Sequence, residues 1–298
     1  MALTRSHIFI LIACLGFGFV YVFSTLLNES GVSSFEQVFF RLSFSLLLML
    51  IILKGKPRLP CKRDLSHFAL IGFFFALLVS LGLTAVAFGT PIAVVSGLVN
   101  TQPIFTAIFA FITSKEKPSI KKSIFILAGV IGAFLVAGVS FEQTISGAVN
   151  VGVILSIAGG VSYAIYLSLK GWKQTKYAPF DSLFNTILFA LPFTLTLALI
   201  TSRFNANPRI VGFTLPDIYQ VFLLLSFALF STVLPYGLLN KVKANEVSPT
   251  AEGTILLLDP VLHSLFAIIF FQQFVTVLQY VGVSLILLAA AAALKFKR

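Results

Sequence analysis

Glu252, Asp259 and His263 lie in one long apolar run near the end of the chain. At 100° per residue a helix places all three within an arc of roughly 40°, so they form a single polar stripe. Asp259 is the twelfth residue of the run, about 18 Å from its start. In hydrocarbon an ionisable side chain at that depth costs about 2.5 to 3.5 kcal/mol and is expected to face a cavity or a partner. Two chemistries fit: Asp259 is either a proton-coupling carboxylate or the counter-charge for a cationic or amino group of a ligand, with His263 tuning or relaying it. Glu252, nearer the start of the run, is either a site residue or a solvated residue at its mouth.

Pro260 follows Asp259 directly. Proline removes a backbone hydrogen bond and kinks a helix, so the carbonyl near Leu256 is expected to need another partner. Asn100, Gln102 and Pro103 repeat the arrangement earlier in the chain. Paired interrupted helices at corresponding positions point to a binding site, with Pro103 and Pro260 as its kinks. Tyr21, Tyr163, Tyr166 and Tyr236 bring hydroxyls that need partners when buried. Arg41 either snorkels outward or turns inward to an acid or an anionic group. It stands alone among the apolar runs, which argues against phosphorylated sugars.

The elements that must carry these residues follow from composition. Of 298 residues 58% are hydrophobic and 10% charged, and mean hydropathy is +1.02. Soluble domains carry about 25% charged residues, so a soluble enzyme or a nucleic-acid binder is excluded. The net charge of +11 resides in short clusters that suit a membrane surface. Apolar runs fall at about 7–27, 35–53, 67–88, 91–113, 121–141, 147–169, 182–201, 218–239, 248–270 and 274–294. This predicts an all-α polytopic membrane protein of ten transmembrane helices, multi-pass in the cell (inner or plasma) membrane.

Basic residues alternate between the connecting segments. Arg5, the cluster from Lys54 to Arg63, Lys115 to Lys122, Lys170 to Lys176, Lys241 with Lys243, and Lys295 to Arg298 lie on one side, against Arg203 and Arg209 on the other. Both termini are therefore expected to be cytoplasmic. The run after Arg5 is too long for a signal peptide and lacks a cleavage site, so it reads as the first span. Cys14 sits within that span and Cys61 in a basic loop, so no disulfide is expected.

The chain also repeats itself. Phe35-Glu36-Gln37-Val38-Phe39 opens the second run as Phe180-Asp181-Ser182-Leu183-Phe184 opens the seventh, and Gln102-Pro103 answers Asp259-Pro260. Two halves, 1–143 and 144–298, each holding five spans, give an inverted repeat, the plan by which many secondary transporters expose one central site to alternate faces. Small residues at fourfold spacing, Gly152 to Ser168 and Gly129 to Ala137, allow close helix contact.

This layout, with Phe17-Gly18 in the first helix, Arg41 in the second, the prolines Pro103 and Pro260, and Glu116 thirteen residues after Pro103, resembles the EamA-type family of the drug/metabolite transporter superfamily. The chain departs from the pattern at Ser114-Lys115 before Glu116 and at Gln273 in the second half. The resemblance implies a substrate cavity between the halves and export or exchange of a small metabolite. An amino acid or similar amino-bearing compound, moved by proton coupling or another gradient, is the first choice; a carrier of nucleotide-like or cationic metabolites or drugs is the alternative. An integral membrane enzyme is a remoter one, with Asp259 and His263 as an acid/base pair. No sequence motif for a cofactor, metal or nucleic acid is present, and the expected partners are a small-molecule substrate and the lipid bilayer, for a monomer or a dimer.

Overall fold

A computed structural model describes residues 3–87, 90, 92–114, 119–137, 151–170, 176–204, 214–272 and 276–295. Every element among them is helical: α1 (Arg5–Gly18), α2 (Val20–Glu29), α3 (Ser34–Ile52), α4 (Leu65–Ala87), α5 (Ile92–Val99), α6 (Gln102–Ser114), α7 (Ile120–Val136) and α8 (Val151–Lys170). They continue with α9 (Pro179–Phe204), α10 (Ile218–Ala228), a π-helical turn (Leu229–Val233), α11 (Leu234–Leu239), α12 (Pro249–Ile255), α13 (Leu258–Phe271) and α14 (Val277–Ala293). Glu116, Trp172, Lys173 and Gln273 lie outside the described residues.

Several of the expected spans are helices broken into consecutive pieces: α1 with α2, α5 with α6, α10 with α11 through the π turn, and α12 with α13. Counting these as units, eight segments are long and apolar enough to cross a membrane. The segments expected as the fifth and tenth spans are the shorter helices α7 and α14, of 17 residues each. The chain is a multi-pass membrane protein.

Helix starts are fixed by side chains that accept from otherwise unpaired backbone N–H groups. Ser33 and Glu36 form a capping box at α3, Asp217 and Gln220 at α10, and Thr276 and Gln279 at α14, while Ser248 caps α12 ahead of Pro249. Glu36 also accepts from the backbone N–H and hydroxyl of Thr214. The segment that opens the second span thus anchors the start of a helix in the other half.

α4 packs along α8 and α9, α7 along α14, and α1 against α11 and α13. Gly132 and Gly282 show why small residues recur: a Cβ on Gly132 would lie 2.7 Å from the Gly282 carbonyl, and one on Gly282 2.6 Å from that of Gly132. Gly132 and Gly282 therefore serve contact between α7 and α14 within one chain, while Gly160 of the α8 stripe meets the carbonyls of Leu98 and Val99. The largest core cluster gathers Phe75, Tyr166, Leu167, Met49 and Leu239 between both halves.

Candidate functional site

The helix interruptions converge. A helix that breaks inside a membrane leaves backbone groups that only protein or a wet cavity can satisfy, and each break here meets a specific side chain. At the α1/α2 break the Phe17 carbonyl lies 3.0 Å from His263 Nε2 of α13. At the π turn, the Ser231 carbonyl accepts from Arg41 Nη2 at 2.6 Å, and Thr232 Oγ1 accepts from Arg41 Nε. Ser231 Oγ in turn donates to the Gly16 carbonyl at 2.9 Å. A Cβ on Gly16 would come within 2.5 Å of the Phe230 carbonyl, so glycine lets α1 press against the π turn.

The other two breaks place the prolines differently from a mid-helix kink. Pro103 is the second residue of α6 and Pro260 the third of α13, positions where a missing N–H leaves no helical bond unmade. The Leu256 carbonyl is met locally by the Asp259 N–H at 3.0 Å, so the expected orphan does not exist. Asp259 thereby stands in the first turn of α13, where a helix N-terminus favours negative charge.

Between these breaks lies a cavity of about 230 Å³. Its deep part is lined by Phe17, Tyr21, Tyr163, Tyr236, Asp259 and His263, its wall by Arg41, Phe227, Ser96 and Asn100, and its shallow part by Ser24, Asn28, Ser34 and Gln37. The shallow part lies at the end of the molecule opposite the N-terminus. Seven of the sequence-derived candidates therefore share one space: Asp259, His263, Asn100, Tyr21, Tyr163, Tyr236 and Arg41. Arg41 turns inward, 7% exposed, with its guanidinium 4.3 Å from the Phe227 ring centre.

Within the cavity Asp259 Oδ1 and His263 Nδ1 are buried without a hydrogen-bond partner among the described residues. With Nε2 facing the Phe17 carbonyl, that nitrogen carries the proton in the neutral ring, and Nδ1 is left as an acceptor. Tyr21 holds the imidazole edge-on, ring centres 4.3 Å apart. Both residues line the cavity one helical turn apart, and each brings an acceptor suited to an ammonium group.

Three candidates fall elsewhere. Gln102 bridges the two broken helices, its Nε2 donating to the Gly253 carbonyl at 2.8 Å and its Oε1 accepting from Thr106. Tyr166 is fully buried beneath the cavity floor against Phe75 and Tyr236. Glu252 is neither a solvated mouth residue nor a cavity residue: it is paired with Lys170 inside the protein. Lys170, which the sequence groups with the loop cations, is the last residue of α8 and 4% exposed. Gln37 was also missed; its Nε2 donates to Asn28 Oδ1 at 2.7 Å and its Oε1 accepts from Ser24 Oγ at 2.8 Å, ordering the cavity's shallow rim.

Among the described residues, no three or more His, Cys, Asp or Glu side chains gather as a metal-binding group. Both cysteines are free thiols, Cys14 buried and Cys61 exposed. What the arrangement offers is recognition: two acceptors, a guanidinium and several aromatic faces around a small space.

The fold and cavity define a multi-pass helical membrane protein with a small chamber among its interrupted helices, into whose lining a few polar side chains are set. The model of the EamA-like transporter family matches residues 4–138 and again 150–294, and the chain belongs to that family. Membership makes it a membrane transporter of the drug/metabolite kind. A solved structure described only as the crystal structure of a protein superposes with a TM-score of 0.74, covering 98% of this chain and 98% of its own at 14% identity. That likeness is one of fold. No curated protein matches the chain.

Proposed function

We propose that this protein is a secondary transporter that exports or exchanges a small amino-bearing metabolite, an amino acid or close relative, by alternating access. The observation that carries the reading is the pairing of opposite charges on one cavity: Asp259 with an unpartnered Oδ1, and the Arg41 guanidinium. A ligand with an ammonium and a carboxylate meets both. A purely cationic ligand leaves Arg41 uncompensated, and a nucleotide-like one is large for about 230 Å³. Burying an unpaired charge is expensive, so these mismatches weigh against both alternatives.

Alternation is supported by asymmetry: the cavity reaches one end of the molecule, while aromatic rings and a buried ion pair fill the path to the other. Counting α7 and α14 with the eight longer segments gives ten spans in two inverted halves, 1–143 and 144–298. The Lys and Arg clusters then lie at the end bearing both termini, which we assign to the cytoplasm. The test is a thermal-shift screen of purified protein against amino acids, amines and organic acids. Ligands that bind the folded state raise its apparent stability; amino acids are expected to do so for the wild type and not for Asp259→Asn. Stabilisation by organic anions alone would reject the reading.

A further inference from the structure

Below the cavity, towards the end bearing the N-terminus, two helices that flank it come together. Along α8, Tyr163 lines the cavity, Tyr166 lies in the aromatic layer beneath, and Lys170 follows one turn later. Along the broken helix, Asp259 lines the cavity and Glu252, seven residues earlier on α12, lies about 10 Å nearer the N-terminal end. Lys170 Nζ bonds to Glu252 Oε1 and donates to the Leu239 carbonyl at 2.8 Å. Both side chains are almost wholly buried, at 3% and 4% exposure.

Stability does not explain such a pair, because desolvation of two charges cancels much of their attraction and apolar residues would serve as well. Breaking it without replacement, however, strands two charges in an apolar core, and that makes it an effective lock. The aromatic layer above it, Phe17, Phe75, Tyr166 and Tyr236 with ring centres 4.8 to 5.8 Å apart, is neutral and has no such threshold.

We propose that the buried Lys170–Glu252 pair is the gate that seals the cavity from the N-terminal end, and that it parts when the charges of the cargo replace those of the pair. Once it moves on from Asp259 and Arg41, a ligand carrying both an ammonium and a carboxylate supplies both replacements, the first to Glu252 and the second to Lys170. A simple amine or a simple acid supplies one and leaves the other side chain stranded. This second step rests on the cargo reading above; the gate itself does not.

The chain carries a reporter at the right depth. Cys14 is fully buried, its Sγ 3.8 Å from the Ile255 carbonyl at the end of α12, and Cys61 is its only companion thiol. In a Cys61→Ser background, the full-length protein in liposomes is treated with a small water-soluble methanethiosulfonate and the modification rate of Cys14 is measured. A gate-open state is ordinarily a minor population of about 0.1 to 10%. Removing both charges in Lys170→Met/Glu252→Gln takes away the charge threshold for opening and should raise the rate about tenfold or more. Reversing them in Lys170→Glu/Glu252→Lys should restore slow modification, with thermal unfolding of each variant reporting that it is folded.

Fast modification in the neutral pair with slow modification in the reversed pair supports the gate. Equal, slow rates in wild type and the folded neutral pair overturn it, as does a reversed pair that stays fast although folded. If the neutral pair fails to fold, the reversed pair alone decides on the same criterion. Amino acids, and neither amines nor acids, should accelerate modification of the wild type; if they do not while the variants behave as expected, the gate stands and the cargo reading fails.

Discussion

In the proposed reading, Asp259 and Arg41 divide the recognition between them. Charge-assisted hydrogen bonds contribute about 1.5 to 3 kcal/mol, so Asp259→Asn should weaken an amino acid ligand roughly tenfold to a hundredfold, measurable by calorimetry. Arg41→Lys keeps a charge, but a lysine cannot reach Thr232 and the Ser231 carbonyl together as the guanidinium fork does. Its expected effect is loss of affinity for carboxylate-bearing ligands with little change for amines. Polar residues in apolar runs made most of this site legible: Asp259, His263, Asn100 and Arg41 are conspicuous where hydrocarbon disfavours them. Tyr163 and Tyr166 were not separable by type, since three residues of helix turn one to the cavity and the other to the core. Lys170 escaped because it stands one residue beyond its apolar run, where a basic residue normally means a loop.

At the scale of elements, breaks rather than regular helices make the site. The prolines announced two of the four interruptions but misplaced their chemistry, because a proline in the first turn of a new helix leaves no carbonyl stranded. The π turn at Leu229–Val233 had no sequence signal; its partner Arg41, distant in sequence, supplies the hydrogen bonds that make it tolerable. Contact between α7 and α14 through Gly132 and Gly282 predicts that Gly282→Val overpacks the seam. Overpacking costs about 1 to 3 kcal/mol, to be seen as a lower unfolding temperature in detergent. The N-terminal end of α1 is held by Glu246, in the segment between α11 and α12, which accepts from the Ser6 hydroxyl at 2.7 Å and from the Ser6 N–H. These bonds hold the Glu246 carboxyl below its ordinary range. A depressed carboxyl contributes stability above its unfolded-state pKa and loses it as pH falls through the folded-state value. Ser6→Ala should therefore lower the unfolding temperature at neutral pH and make less difference in acid, when both proteins are followed across that titration.

In the proposed reading, the whole molecule is a chamber reached from one end and sealed at the other. Its class was written in composition and in the alternation of basic clusters, because a bilayer permits few backbone solutions. The number of full-length spans was less legible, since hydropathy does not reveal where a short helix such as α7 or α14 stops. If opposite charges on one cavity define the cargo, transport follows from recognition. The most direct measurement is counterflow in proteoliposomes, with a labelled amino acid outside and unlabelled candidates trapped inside, for wild type and Asp259→Asn. The account predicts transient accumulation of label driven by trapped amino acids, absent in Asp259→Asn and absent with trapped amines or acids. Equal accumulation in the variant, or accumulation driven only by anions or simple cations, would contradict it.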